Sequence, residues 1–135
     1  MRHRVRHFLL YRFPAIVWAG IIFAASAIPQ AKLPRFSHIF NDKLVHATIF
    51  LVFGLLVYRA FEPRSDPGRF DWLRLILSVS VVVIYGITDE FHQGFVPGRT
   101  VDALDATADA VGGILAGIVV YAGHSLRIAF SARNH

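Results

Sequence analysis

The chain contains no cysteine. Disulfides, thiolate ligands and a cysteine nucleophile are therefore excluded, and the redox compartment leaves no trace in the sequence. Charge is scarce as well: 17% of the 135 residues are charged against 55% hydrophobic, with a mean hydropathy of +0.50. That balance is too apolar for an ordinary soluble domain. A soluble chain of this length would have to hide four separate apolar runs, each flanked by charge, with little polar surface left for water. No internal repeat, low-complexity tract or second domain interrupts the pattern, so one small membrane domain over 1–135 is expected. The net charge of +5 and a pI near 10.2 raise the question of nucleic acid. The basic residues, however, border the apolar runs instead of interleaving with aromatics on a surface, so they read as topology signals and no nucleic-acid partner is expected.

The runs are "FPAIVWAGIIFAASAI" (13–28), "KLVHATIFLVFGLLVYRAF" (43–61), "WLRLILSVSVVVIYGIT" (72–88) and "ALDATADAVGGILAGIVVYAG" (103–123). Each is near the roughly 20 residues that cross a hydrocarbon core of about 30 Å. The expected fold is all-α: a polytopic bundle of four transmembrane helices over about 12–28, 43–61, 72–90 and 102–123. The first run also has the basic flank, apolar stretch and small residues Ala25, Ser26 and Ala27 of a signal peptide; its removal would leave an odd number of spans. The third is rich in Val and Ile, yet an open strand could not satisfy its backbone in lipid.

Basic residues set the orientation. Arg2, Arg4, Arg6 and Arg12 precede the first run, Arg59, Arg64, Arg69 and Arg74 lie around the middle loop, and Arg127 and Arg133 follow the last run. The other side holds Lys32, Arg35, Lys43 and Arg99. The positive-inside rule then places both termini and the loop "EPRSDPGR" (62–69) in the cytoplasm and the 29–43 and 89–102 loops outside, in a multi-pass protein of the bacterial inner membrane.

The outward ends of the later helices carry the polar groups. "NDKLVH" puts Asp42, Lys43 and His46 on neighbouring faces of one turn, "TDEFHQ" does the same with Asp89, Glu90, His92 and Gln93, and Asp102, Asp105 and Asp109 recur at intervals of three and four. The helix-four stripe continues through Gly113 and Gly117, a spacing that lets a neighbour approach closely. Asp109 then lies about 10 Å deeper than Asp102 and faces the bundle, with Arg99, Lys43 or His46 as partners. "FVPGR" is a turn with Pro97 at its second and Gly98 at its third position. Plainer roles stand beside these: Asp102 as an N-cap, Asp105 as a first-turn acid, Asp42 as a cap of helix two, and the histidines as hydrogen-bonded interfacial side chains. Trp18, Trp72, Tyr85 and Tyr121 read as span or interface aromatics. There is no H-E-x-x-H and no EF-hand spacing, so no metal or other cofactor is assigned, although carboxylates and histidines that converge are able to hold a divalent ion.

Taken together, "DKLVH", "DEFHQGFVPGR" and "DALDATADAVGG" resemble, in order and spacing, the VanZ-like family of small membrane proteins named after an accessory protein of teicoplanin resistance. The likeness covers about Pro14 to Tyr121 and extends to "FAASAIP". Many members carry Asn where this chain has Asp109, so an Asn-like hydrogen-bonding role does not transfer directly. What the resemblance implies is an association with the cell envelope and glycopeptide tolerance, and no particular reaction.

The leading expectation is an accessory membrane protein with an extracytoplasmic polar pocket for a lipid headgroup, wall precursor or glycopeptide. Its ligand-binding residues are Asp42, Lys43, His46, Asp89, Glu90, Gln93, Arg99, Asp102, Asp105 and Asp109, with Lys43 and Arg99 pairing with anionic groups. Two alternatives remain open. One is an enzyme on a lipid-linked substrate with Asp89 or Glu90 as base and His46 as acid; the other is a structural partner of a membrane complex.

Overall fold

A computed structural model of the chain describes residues 2–32, 39–61 and 68–134, and the side chains of 4–32, 42–61 and 68–134. Leu33 to His38 and Glu62 to Pro67 lie outside the described residues, and with them Pro34, Arg35, Arg64 and most of the middle loop. All regular structure among the described residues is helical: α1 (Arg2–His7), α2 (Phe13–Ser26), α3 (Ile39–Ala60), α4 (Trp72–Gln93) and α5 (Ala103–Arg133). Four stretches are long and apolar enough to cross a membrane: Arg4–Ser26, Asp42–Ala60, Trp72–Gln93 and Ala103–Arg133.

The first and last helices run further than the hydropathy pattern predicts. Arg2 to Ser26 is one continuous rod because nothing in the basic segment breaks a helix, and Pro14 is absorbed by a π-helical stretch, Phe8–Arg12, in which Phe13 N–H reaches back to Phe8 O. A proline has no N–H and its ring crowds the preceding turn, so one wider turn in front of it relieves both problems. At the other end Gly123 does not stop α5, since a single mid-helix glycine costs only about 1 kcal/mol and "HSLRIAFSAR" continues the helix to Arg133. Helix α3 starts at Ile39, so Asp42 lies within its first turn and is not its cap. Asp71 caps α4 by accepting from Arg74 N at 3.0 Å, and Asp102 caps α5 by accepting from Leu104 N at 2.8 Å.

Helices α2 to α5 run up and down, so the end of α2, the start of α3, the end of α4 and the start of α5 meet at one end of the bundle. Glycines decide how close they come. A Cβ on Gly112 would stand 2.3 Å from Ala47 O and 2.9 Å from Leu51 N, so α5 lies directly against the α3 backbone there. Adjacent Gly113 points about 100° away around the helix and faces α4, where an added Cβ would meet Val82 at 2.8 Å; Gly117 faces Leu75 on the same side. The predicted Gly113–Gly117 face is therefore the α4 contact, while the closest backbone approach belongs to Gly112. Phe50, Phe53 and Val57 of α3 and Val82 of α4 form the buried core with Ile22 and Ala15 of α2.

Helix α2 is held by two polar braces set in apolar surroundings. Trp18 Nε1 donates to Ile49 O of α3 at 3.1 Å, and Tyr85 Oη of α4 donates to Ala19 O at 2.6 Å. Trp18 and Tyr85 are thus interhelical ties. Trp72 and Tyr121 pack edge-on against Phe70, which also meets His124, at the end opposite the glycine-fastened polar cluster. Most remaining large side chains, among them Ile84, Ile87 and Ile118, point outward, as lipid allows and water does not.

The glycine contact makes a direct prediction. Gly112→Ala will lower stability in detergent by about 1–3 kcal/mol through overpacking, whereas Gly20→Ala, whose Cβ meets nothing within 4 Å, will be neutral or stabilising by up to about 1 kcal/mol. Equal unfolding midpoints for the two variants would contradict this packing.

Candidate functional site

Ser26 ends α2, Asp42, Lys43 and His46 open α3, Asp89, Glu90 and Gln93 close α4, and Asp102, Asp105 and Asp109 open α5. The up-and-down topology alone brings these segments to one end. What joins them there is charge.

Lys43 is the centre of the α3–α5 contact. Its ammonium bonds Asp102 Oδ2 at 2.6 Å and Asp105 Oδ1, and lies 3.8 Å from Asp42 Oδ2. Asp102 N in turn donates to Glu90 Oε1 at 2.7 Å, so the N-cap residue of α5 is gripped from α3 through its side chain and from α4 through its backbone. The hydrogen bond from Lys43 holds the Asp102 carboxyl below its ordinary value, with the Leu104 N–H adding to the effect. Since the folded form binds this proton less readily than the unfolded chain, that contribution is present above the usual carboxylate range and is lost as pH falls through the lowered value.

One turn deeper, His46 Nδ1 and Asp109 Oδ1 share a hydrogen bond at 3.0 Å, while His46 Nε2 faces Asp105 Oδ1 across 3.9 Å. Asp109 is 1% exposed, so the deepest acid of the stripe does face the bundle, with His46 as its partner. Gly86 of α4 makes room for it: a Cβ there would be 2.9 Å from Asp109 Cβ. Asp109 Oδ2 and Glu90 Oε2 are buried without a hydrogen-bond donor, and His92 Nδ1 is buried without a partner. His92 packs against Phe23 of α2 instead of joining the cluster.

A second network runs from α2 to the α4–α5 loop. Ser26 Oγ donates to Asp89 Oδ1 at 2.5 Å, Gln93 Nε2 donates to Asp89 Oδ2 at 3.1 Å, and Arg99 donates to Gln93 Oε1 from Nε at 3.0 Å and also from Nη2. Arg99 is positioned by the predicted turn: Arg99 N bonds Val96 O at 3.0 Å, and Gly98 takes φ +78°, the left-handed value that a type II turn requires at its third position. Gln30 N completes the rim by donating to Pro97 O at 3.3 Å.

Between the networks is a cavity of about 550 Å³. Its lining is mixed. Ser26, Gln30, Asp42, His46, Asp89, Gln93, Arg99, Thr100, Asp102 and Asp105 supply polar groups, and Ile22, Ala25, Val45, Ile49 and Phe50 of α2 and α3 supply apolar ones. Every residue singled out from the sequence reaches this end of the bundle; Lys43, Glu90 and Asp109 stand behind the cavity wall. Ser26, Gln30 and Thr100 were not foreseen. Of these only Ser26 carried a signal, a lone hydroxyl closing an apolar run. Asp42, His46 and Asp105 each offer a ligand atom within 4.8 Å of the others, the one set among the described residues with metal-like grouping.

Because Lys43 neutralises two acids, removing it leaves both uncompensated. Lys43→Met will destabilise the bundle by about 2–3 kcal/mol, below the range for a wholly buried pair because its side chain is 20% exposed. Adding Asp105→Asn to that variant will restore part of the loss; a double variant no more stable than Lys43→Met would remove Lys43 from the centre of the contact. Reversible unfolding in detergent measures both.

A family model described as VanZ/LLP1 matches residues 8–127, a span that contains the whole cavity lining. No curated protein and no solved structure matches the chain. On the strength of a match over most of its length, the chain belongs to the VanZ/LLP1 family.

Proposed function

We propose that this protein is a noncatalytic accessory protein of the cell envelope that binds an amphiphilic envelope molecule at the polar end of its bundle. The observation that carries this reading is the mixed lining of the cavity: ionic and hydrogen-bonding groups and apolar side chains border the same space of about 550 Å³, the size and character of a small-molecule site. A lipid headgroup, a wall precursor or a glycopeptide presents a polar head next to an apolar portion, and the cavity offers a surface for each. With both termini in the cytoplasm of a bacterial inner membrane, as the arginine distribution supports, the cavity opens on the extracytoplasmic side. Binding there would link the protein to tolerance of teicoplanin-type glycopeptides, the association its family carries.

Lys43 and Arg99 play different parts in this reading. Lys43 is already bonded to Asp102 and Asp105 and acts as a structural cation, whereas Arg99 lines the cavity with no carboxylate partner among the described residues. Both Asp89 oxygens accept bonds from Ser26 and Gln93. That arrangement orients Gln93 and, through it, Arg99, which is a holding role.

The test fills the cavity. Ala25→Trp projects a large side chain from the α2 wall, and Ile118→Trp, at a side chain 57% exposed on α5, places the same bulk on the outer surface. In native mass spectrometry of protein extracted with its own membrane lipids, the wild type and Ile118→Trp will retain a bound amphiphile and Ala25→Trp will lose most of it. Unchanged retention in Ala25→Trp, with normal folding, would put the bound molecule elsewhere and overturn the cavity reading.

A further inference from the structure

The ionic groups that the bundle itself leaves under-used in this cavity are of opposite sign. Arg99 spends Nε and Nη2 on Gln93 Oε1, which leaves the Nη1 protons of its five-donor guanidinium for a ligand. Asp42 is the reverse case. Its side chain is 44% exposed, and its nearest cation, Lys43, is 3.8 Å away and already engaged by Asp102 and Asp105. Beside Asp42, His46 pairs through Nδ1 with Asp109, and a neutral ring protonated at that nitrogen has its lone pair at Nε2, facing Asp105.

Asp42, His46 and Asp105 thus present three acceptors within 4.8 Å of one another. A primary ammonium has three N–H donors, and bonds of about 2.9 Å along tetrahedral directions reach acceptors roughly 4.7 Å apart. A tetrahedral metal ion with ligands at about 2.1 Å needs separations of roughly 3.4 Å, and the 3.9 Å between His46 Nε2 and Asp105 Oδ1 lies between the two spacings, so charge, not distance, favours the ammonium. The same acidic wall already holds one ammonium, that of Lys43. Among the described residues, acids outnumber bases at this end of the bundle: Asp42, Asp89, Glu90, Asp102, Asp105 and Asp109 stand against Lys32, Lys43 and Arg99 and the histidines His46 and His92. An anionic headgroup would add to that excess, whereas a zwitterion adds no net charge and places its cation where the acids are.

Resting on the amphiphile-binding reading above, we propose that the cavity is a headgroup site for an ethanolamine phospholipid. The ammonium sits among Asp42, His46 Nε2 and Asp105, the phosphate takes the free side of the Arg99 guanidinium beside Thr100, and the acyl chains lie along Ile22, Val45 and Ile49.

The experiment uses the full chain, delipidated in mild detergent and offered equimolar phosphatidylethanolamine and phosphatidylglycerol of matched acyl chains, with retention read by native mass spectrometry. The wild type is expected to retain the ethanolamine lipid about tenfold over the glycerol lipid, the discrimination of one charge-assisted contact. Asp42→Asn will bring that ratio near one while total lipid retention persists, Asp42→Glu will keep the preference, and Arg99→Gln will weaken retention of both lipids. Elution profile and helicity identify any variant that fails to fold, and the wild-type ratio stands without the variants. A wild-type ratio of one, with Ala25→Trp still reducing retention, would overturn the ethanolamine assignment and leave the cavity reading intact; retention untouched by Ala25→Trp would overturn the cavity reading itself. Magnesium or zinc bound by wild type and lost in Asp42→Asn, without lipid preference, would replace the ammonium with a divalent ion and overturn the proposal. Displacement of the lipid by an equal concentration of soluble glycerophosphoethanolamine would overturn the requirement for a lipid.

Discussion

A row of aspartates cannot be buried in an apolar bundle unless another helix supplies cations and donors at the same depth. This is the condition the whole structure satisfies, and α3 meets most of it. Lys43 and His46 stand three residues apart, as Asp102 and Asp105 do, and Asp109 follows one turn below, so two antiparallel helices match charge to charge through successive turns. Glycines are needed for the same reason. Hydrogen bonds of about 3 Å between short aspartates and a histidine require close helix axes, and Gly112 against the Ala47–Leu51 backbone supplies that approach. Charge pairing and close packing are two parts of one contact.

The remaining helices elaborate that pair. Helix α4 adds Glu90 beneath the start of α5 and Asp89 and Gln93 beside the cavity, while α2 contributes one hydroxyl, one apolar wall and two braces. Among the described residues the ion pairs join α3 to α5 and its cap, and glycine contacts join α5 to both α3 and α4. Helix α2 is attached mainly through Trp18 and Tyr85 above and Ser26 at the rim. The apolar lining of the cavity comes from α2 and α3, whose one side-chain hydrogen bond among the described residues is that of Trp18, and an acyl chain would meet little resistance to lying between them.

Much of this was legible in the sequence because membrane helices advertise themselves by length and hydropathy, and because the polar motifs are spaced by three and four. Those spacings put Asp42, Lys43 and His46 on one surface and Asp102, Asp105 and Asp109 on another, and alternation of the helices brought the surfaces together. Pairing was harder to read. Lys43 looked as available to a ligand as Arg99 did, since nothing along the chain says that Asp102 and Asp105 close on it while Arg99 finds only an amide. Ser26, Gln30 and Thr100 enter the site through the meeting of loops distant in sequence, which leaves no periodic trace. The ends of α1 and α5 were missed for another reason: hydropathy reports where lipid stops, and a helix of basic or polar residues need not stop there.

Asp102 has a consequence for the order in which this protein is made. It caps α5, it binds Lys43, and it begins a segment that carries two further aspartates into the apolar phase. On insertion scales each aspartate near the centre of a span costs about 2.5–3.5 kcal/mol, less toward the ends, so α5 is long and apolar enough to cross but carries a penalty that pairing removes. Its partners, Lys43 and His46, belong to a span synthesised some sixty residues earlier. The last helix therefore meets its cations in a segment already made, and pairing with them offsets the cost of its final crossing.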